Sequence, residues 1–514
     1  VIHDPTPEAV IASAANRGLA LSVAEAHELI EIGRGLLRSC ERLDAAPGFT
    51  LPGGFPRAPG RLPAPAENPH NAWAWRCDVA GAAEGPLAGR RVAVKDIVPV
   101  AGMPMTAGSS TLRGYVADFD ATVAHRVLAA GGTIAGIATT EDMCLSGASV
   151  SARQGPVRNP RDPLRSAGGS SSGVAALIAS GAVDMGIGAD QGGSIRIPAS
   201  LTGVLGLKPT YGLVPYTGCA PIDVSLDHLG PMARTAEDLA LLLQAIAGYD
   251  DGLDPRQRTD APVGDYVGAA RGADLTGTRV GLLREGFDRP GLSTTAVDQA
   301  VRAAAQGLTA LGATVVEVSV PEHLLAMDMH GALLLQGGSE FMIRGHGTGQ
   351  PGKGFYDERI GAIAAGGMDR RGDQLFASVK YSIAMGGWLW DAFGGGYYAK
   401  AQNLALALRR AYDRAFADVD LLVMPTTMVQ APLLPAADAS ETEAVALALD
   451  AALIGNTCAF DHTGHPALSV PIGPVDDLPV GMMLVAPWYG EEALIGAAAA
   501  IESSALAFAP DPAG

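Results

Sequence analysis

The sequence predicts an α/β protein with a helical N-terminal appendage, and three observations carry that prediction. From about residue 85 onward, short apolar strands alternate with helical patterns, as expected when helices pack on a sheet. Residues 1–70 differ: two helix starts are followed by a stretch from Ala46 to Pro69 rich in Pro, Gly and Ala, which reads as a linker. A composition of 48% hydrophobic and 18% charged residues excludes a disordered chain and a coiled coil. At roughly 150 residues per domain a chain of 514 residues would hold three domains. The pattern divides more simply into an appendage with its linker, 1–70, and one large domain, 71–514.

In the appendage, Thr6-Pro7-Glu8 starts a helix with proline in its first turn. Ser22-Val23-Ala24-Glu25 is a capping box. It opens a helix to about Leu43, with Ala26, Leu29, Ile30, Ile32, Leu36 and Leu37 at helical spacing. In the large domain Arg91–Val94 is a strand ending at Lys95-Asp96, followed by a helix over 121–130 and a strand over 133–138. A helix over 174–180, a strand over 183–188 and a helix over 234–248 come next. A strand over 279–283, a helix over 296–311 and a strand over 314–320 form a βαβ-like unit. Residues 330–400 break the rhythm with Gly, aromatic and Met residues, and read either as a lid or pocket wall or as an irregular surface excursion. Strands resume at Asp420–Thr426 and Ala467–Pro471.

Several function classes fall away on charge and pattern. Thirty-six basic against fifty-four acidic residues give a net charge of −18, which repels a phosphate backbone, so no nucleic-acid partner is expected. No apolar run approaches the ~18 residues of a membrane span, and no basic, apolar leader opens the sequence. Five scattered cysteines without CxxC spacing (Cys40, Cys77, Cys144, Cys219, Cys458) argue for a reducing, cytoplasmic setting without disulfides or zinc. No metal and no cofactor is expected.

Two segments stand out for chemistry: Ala167-Gly168-Gly169-Ser170-Ser171-Ser172-Gly173 and Asp190-Gln191-Gly192-Gly193-Ser194-Ile195-Arg196-Ile197-Pro198. Each sets a serine after a glycine pair. Glycine pairs let successive N–H groups converge on one point, so such a serine can carry its own oxyanion hole. Alone, either is equally a flexible loop; together they flank one helix and one strand. A serine nucleophile needs a base. His3, His27, His70 and His125 suit surface or packing roles, whereas His228, His462 and His465 read as sitting in loops that could reach a site. Lys95 competes with them. Only five of the basic residues are lysines (Lys95, Lys208, Lys353, Lys380, Lys400), and lysine, unlike arginine, can lose its proton when desolvated. At the end of an apolar strand Lys95 is either such a neutral base or an ion pair with Asp96 or Asp190. Gly169–Gly173 also matches the G-x-S-x-G elbow, which would make Ser171 the nucleophile. An elbow needs a strand leading into it, and Arg158–Arg165 is charged and broken by prolines.

With Val92-Ala93-Val94-Lys95-Asp96, these two segments resemble the amidase signature family in order and spacing. Asp120–Val123, Gly206–Gly212, Gly230–Met232, Val423–Thr426, Pro466–Pro471 and Leu478–Gly481 extend the resemblance over about residues 75–500. It is nearest to bacterial amidases of the nitrile-pathway type, which share a helical N-terminal extension and the wording at 190–196 and 212–218. Where many members read Gly-Gly-Ser-Ser-Gly-Gly, this chain has Gly-Gly-Ser-Ser-Ser-Gly.

The resemblance implies the amidase-signature fold, a central mixed β-sheet flanked by helices. It also implies Ser194 as nucleophile, Ser170 beside a cis peptide as proton relay, and a neutral Lys95 as base. Backbone N–H groups of Gln191, Gly192, Gly193 and Ser194 would form the oxyanion hole. Asp190 and Arg196 would orient that loop, with Ser171 and Ser172 beside the relay. Met143-Cys144-Leu145 follows a core strand and is placed at the substrate pocket. The expected activity is hydrolysis of a small-molecule amide through an acyl-enzyme, without metal or cofactor. A carbamate hydrolase and an amidotransferase component that releases ammonia from glutamine are the alternatives, and a homodimer is an admissible assembly.

Overall fold

Apolar strands that read as continuous runs rather than alternations form the middle of a single large sheet, because both of its faces are covered. A computed structural model describes residues 3–348, 352–436 and 438–508. Its strands are β1 (Trp73–Ala80), β2 (Arg91–Lys95), β3 (Thr133–Ala138), β4 (Arg158–Asn159), β5 (Asp162–Ser166), β6 (Met185–Asp190), β7 (Leu205–Lys208), β8 (His228–Ala233), β9 (Arg279–Leu283), β10 (Thr314–Val318), β11 (Leu421–Pro425), β12 (Ala467–Val475) and β13 (Leu478–Val485). Eleven of them join in the order β1-β3-β2-β6-β8-β7-β12-β13-β11-β9-β10. The sheet is mixed: β2 runs parallel to β3 and β6, while β6 and β8 pair antiparallel, with Asp190 opposite His228. The chain is therefore an α/β protein with a mixed sheet, as expected.

The helices are α1 (Pro7–Ala15), α2 (Val23–Asp44), α3 (Thr122–Ala129), α4 (Ser172–Ala179), α5 (Arg196–Thr202), α6 (Ala236–Ile246), α7 (Tyr266–Arg271), α8 (Thr295–Gly307), α9 (Ala326–Gly337), α10 (Ile360–Arg371), α11 (Ala377–Phe393) and α12 (Gly396–Ala415), followed by shorter ones. Along β2, Val92 and Val94 join the core containing Val123 and Val127 of α3 and Leu239 of α6. Ala93 turns the other way, toward Val174 and Ile178 of α4. This alternation puts α4 and the chemistry-bearing loops around it on one face.

Five differences from the sequence expectations have physical causes. The chain divides into compact units at 1–51 and 52–514 rather than at residue 70. Most of the linker belongs to the larger unit, since Arg57 clamps buried Asp120 at 2.7 and 2.9 Å and Arg61 bridges to Arg76. Residues 158–166, too charged and proline-broken for a core strand, form the two-stranded ribbon β4–β5 outside the main sheet, where exposed charge is tolerated. The strand expected at 183–188 is shifted to 185–190, so it ends on Asp190 itself. Strand β8 lies outside the expected elements because it contains Pro231. The β7 ladder ends at Met232, so the proline breaks no pairing there. Residues 330–400 are mostly helical (α9 to α12, with a π-helical turn at Gly338–Arg344) rather than irregular. Within the first unit, α1 and α2 carry the expected Thr6 cap and the Ser22–Glu25 capping box. Among the described residues, no helix is long and apolar enough to cross a membrane.

Candidate active site

The site is assembled at the C-terminal ends of the neighbouring parallel strands β2 and β6. Lys95 is the last residue of β2 and is fully buried. Its Nζ lies 2.8 Å from Ser170 Oγ and donates to the Ala189 carbonyl of β6 at 3.2 Å. The ion pairs considered for it are not formed. Asp96 accepts instead from the backbone of Thr106 at 2.8 Å and from its hydroxyl, and Asp190 faces Arg196. Burial therefore pushes the Lys95 amine below the ordinary lysine range.

Ser170 follows a cis peptide from Gly169 and is fully buried just ahead of α4. Its carbonyl accepts from Thr140 Oγ1 at 2.7 Å. The next residue ties the two serine segments together, as Ser171 N–H donates to the Ser194 carbonyl at 3.1 Å. Ser171 is itself buried and exchanges hydrogen bonds with the backbone of Ala189 at 3.2 Å, so its hydroxyl is engaged inside the core. Ser172 donates to Glu141 Oε1 at 3.1 Å. Burial raises the Glu141 carboxyl to about 7, although the amides of Val150 and Ser151 and the Ser151 hydroxyl all point at it.

Ser194 stands in the loop between β6 and α5, 9% exposed, and its hydroxyl has no hydrogen-bond partner among the described residues. The loop is shaped by Asp190. Its Oδ1 accepts from Gly193 N–H at 2.5 Å, and its Oδ2 accepts from Ile195 N–H at 3.0 Å and Arg196 N–H at 3.4 Å. Gly193 N–H is thus already engaged and holds the loop, which narrows the expected oxyanion donors to Gln191, Gly192 and Ser194. Gly193 has φ +135°, and a Cβ there would collide with the Thr457 hydroxyl; at Gly192 a Cβ would come within 2.6 Å of the His330 ring. Both positions need glycine because side chains distant in sequence press on the loop.

Arg196 is fully buried and bidentate to Asp190 at 3.0 Å, with further bonds to the Thr457 carbonyl at 2.8 Å and Asp461 Oδ2 at 2.7 Å. Two carboxylates therefore share one guanidinium. Burial works against the charge on both. Arg196 overrides it at Asp190, holding that carboxylate well below the usual range, whereas Asp461, repelled by Asp190, is pushed well above it.

A cavity of about 390 Å³ opens on Ser194, walled by Cys144, Leu145, Ile197, Ile222, Leu334 and Ile454 among others. It shares Cys144 and Ile222 with an apolar cleft of about 570 Å³ that includes Met143, Met342, Ala364 and Met368. Met143-Cys144-Leu145 thus lines both spaces, held in a left-handed turn at Met143 (φ 49°) and Cys144 (φ 61°). Residues of the 330–400 stretch contribute walls to both spaces.

Among the described residues none of the candidate histidines bonds Ser170 or Ser194. His228 sits in β8 with Nδ1 2.7 Å from the Leu226 carbonyl, and His465 contacts Thr463 and Asp413. His462 packs on His330, ring centroids 5.4 Å apart. Sequence reasoning missed Glu141, His330, Thr457 and Asp461. His330 lies in the stretch whose composition stood out, but Asp461 is 265 residues from Arg196 and carries no local signal. Lys208, one of the five lysines, is also fully buried; burial brings it to about 7.

The family model named Amidase matches residues 64–495, and the chain belongs to this amidase family, enzymes that hydrolyse amide C–N bonds. It is 45% identical over 455 residues to an enantioselective amidase of Rhodococcus rhodochrous, covering 87% of this chain and 86% of that one. It is 38% identical over 433 residues to a glutamyl-tRNA(Gln) amidotransferase component of Halobacterium salinarum, covering 84% and 99%. Among solved structures, the native peptide amidase of Stenotrophomonas maltophilia matches with a TM-score of 0.64 and 30% identity over 81% of this chain and 83% of that one. A 6-aminohexanoate cyclic dimer hydrolase complexed with substrate matches with a TM-score of 0.70 and 27% identity, covering 82% and 86%.

Proposed function

We propose that this amidase acts on small-molecule amides bearing an apolar group, with Ser194 as nucleophile, Ser170 as proton relay and Lys95 as base. The observation that carries it is the 2.8 Å contact between Lys95 Nζ and Ser170 Oγ, both buried, one residue from the segment bonded to Ser194. A neutral amine takes the Ser170 proton while Ser170 takes that of Ser194, whose Oγ attacks the carbonyl carbon. The oxyanion is met by the N–H groups of Gln191, Gly192 and Ser194. Return of the proton along the same relay lets the amine depart and leaves an acyl-enzyme, which water then hydrolyses in reverse. Among the described residues Ser170 Oγ bonds only Lys95 Nζ; catalytic hydrogen bonds are often long in empty enzymes, and in this reading the Ser170–Ser194 bond forms when substrate fills the cavity.

The apolar cleft supports a bulky or aromatic substituent, on either an amide or a carbamate, since both present the same carbonyl–nitrogen bond to Ser194. Its Rhodococcus relative, named as an enantioselective amidase, supports the amide first. Release of ammonia from glutamine, suggested by the amidotransferase relatives, is less well supported. Among the described residues, neither the Ser194 cavity nor the cleft has a lysine or arginine to meet the amino acid's carboxylate. The free cysteines support a reducing, cytoplasmic setting, and the apolar positions Leu29, Ile32 and Leu36 of α2 support a homodimer.

A panel of aliphatic amides, aryl amides, aryl carbamates and glutamine, assayed with the purified chain alone, tests this. Aryl amides should turn over and glutamine should not, and Ser194→Ala should abolish both turnover and labelling by a fluorophosphonate. Labelling that persists and maps to Ser171 would reject the assignment.

A further inference from the structure

The walls of the Ser194 cavity are mostly apolar, with Ser146, Gln191, Ser194 and His330 as the polar side chains. Ser146 gives its hydroxyl to the Ala148 carbonyl. Gln191 donates its amide to Tyr216 Oη at 3.1 Å and Asp227 Oδ1 at 2.9 Å, which leaves only its buried carbonyl oxygen without a partner. Ser194 is the proposed nucleophile. His330 is different. It projects from α9, is 4% exposed, lines this cavity, and lies against Gly192 of the oxyanion loop. Neither of its ring nitrogens has a hydrogen-bond partner among the described residues, and Nδ1 is sealed from solvent. Its ring also packs against that of His462. Burial brings its pKa to about 4, so at neutral pH the ring is uncharged and offers one N–H donor and one acceptor.

A buried polar side chain without a partner is costly unless something completes it. A leucine or phenylalanine would fill this wall without that cost. We infer that His330 is a substrate-binding residue whose ring nitrogen hydrogen-bonds an oxygen carried by the acyl part of the substrate, next to the scissile carbonyl. This rests on the proposed acyl transfer at Ser194. His330 presses on Gly192, whose neighbouring N–H groups meet the carbonyl oxygen in that mechanism, so its reach from there is to groups one or two atoms away from the reacting carbon. Two substrate chemistries present an oxygen there: the alkoxy oxygen of a carbamate and the hydroxyl of a 2-hydroxy acid amide. Both share an oxygen able to bond a neutral imidazole.

The experiment uses 4-nitroanilides that differ only in that atom: propionyl against methoxycarbonyl, and 2-methylpropionyl against 2-hydroxypropionyl. His330→Phe keeps an aromatic ring against Gly192 but cannot form the bond, and His330→Asn restores a donor and an acceptor. For His330→Phe, kcat/KM for an oxygenated substrate should fall about tenfold relative to its apolar partner, the scale of one lost hydrogen bond, and Asn should recover part of it. A loss confined to the methoxycarbonyl substrate identifies the carbamate, and one confined to the 2-hydroxypropionyl substrate identifies the hydroxy acid. Equal losses within each pair would overturn the inference, as would no loss at all. Fluorophosphonate labelling of Ser194 counts correctly folded sites in each variant. If the unaltered enzyme cleaves the apolar anilides at Ser194 and only the pairwise ratios fail to move, the inference about His330 falls while the proposed function stands. If the unaltered enzyme cleaves none of them, both fall.

Discussion

Lys95 Nζ lies 2.8 Å from Ser170 Oγ, and neither residue is exposed to solvent. A charged ammonium in that position would lack a carboxylate partner, so the pair is built for an uncharged amine. An amide needs a proton delivered to its departing nitrogen, whereas an activated aryl ester releases phenolate unaided. Lys95→Ala should therefore lower kcat/KM about 10²–10⁴-fold on an anilide and far less on the matching nitrophenyl ester. Protonated Lys95 cannot accept a proton, so anilide hydrolysis should rise with pH through its lowered pKa and fail in acid. Equal losses on both substrates, measured side by side, would reduce Lys95 to a structural role.

The shared guanidinium of Arg196 separates two carboxylates by function. Asp190 is held ionised and shapes the Ser194 loop, while Asp461 is pushed toward its protonated form. Asp461→Asn mimics that neutral acid and should shift stability by less than about 1 kcal/mol. Asp190→Asn removes the bidentate partner of Arg196 and the acceptor that shapes the Ser194 loop, leaving Asp461 as the one carboxylate on the guanidinium, and should cost about 1–3 kcal/mol, along with most activity. Urea unfolding of the two variants side by side distinguishes them, and equal destabilisation would contradict the assignment.

Gly193→Ala should lower kcat about 10²–10³-fold, the scale of a misplaced oxyanion donor. At φ +135° the backbone itself disfavours a side chain, beyond the collision with Thr457. Thr457→Ala should therefore not rescue it. Recovery of activity in the double variant would show that crowding alone was at fault.

Lys208 sets an alkaline dependence of stability. Its folded value is about 7, against 10.5 for the ordinary side chain. Between those values the unfolded chain binds the additional proton, so stability rises with pH across that window and is lost as pH falls toward 7. The slope from this one group is at most about 1.4 kcal/mol per pH unit. Lys208→Met should remove it, seen as a smaller difference between urea midpoints at pH 7.5 and pH 9.5. An unchanged difference would mean that Lys208 is charged in the folded protein.

The α/β class, Lys95 and the two serine segments were legible because each is a local pattern. A strand ending in a lone lysine and glycine pairs ahead of serines need only neighbouring residues to be recognised. The helices at 330–400 were not legible, since glycine and aromatic residues there obscured the helical period that packing restores. The separate ribbon at 158–166 was missed because its charges face outward, where sequence alone reads a loop.

By itself the sequence determined which residues are candidates for the chemistry, since motif spacing places Ser170 and Ser194 on either side of one helix and one strand. Only the tertiary structure decided their state and surroundings. It decided that Lys95 has no carboxylate partner, that Gly193 N–H is taken by Asp190, and that Asp461 and Thr457 brace Arg196 from the far end of the chain. It also set His330 against Gly192. The reason is physical: a side chain's charge and hydrogen-bond partners depend on what excludes water around it, and that is supplied by segments hundreds of residues away.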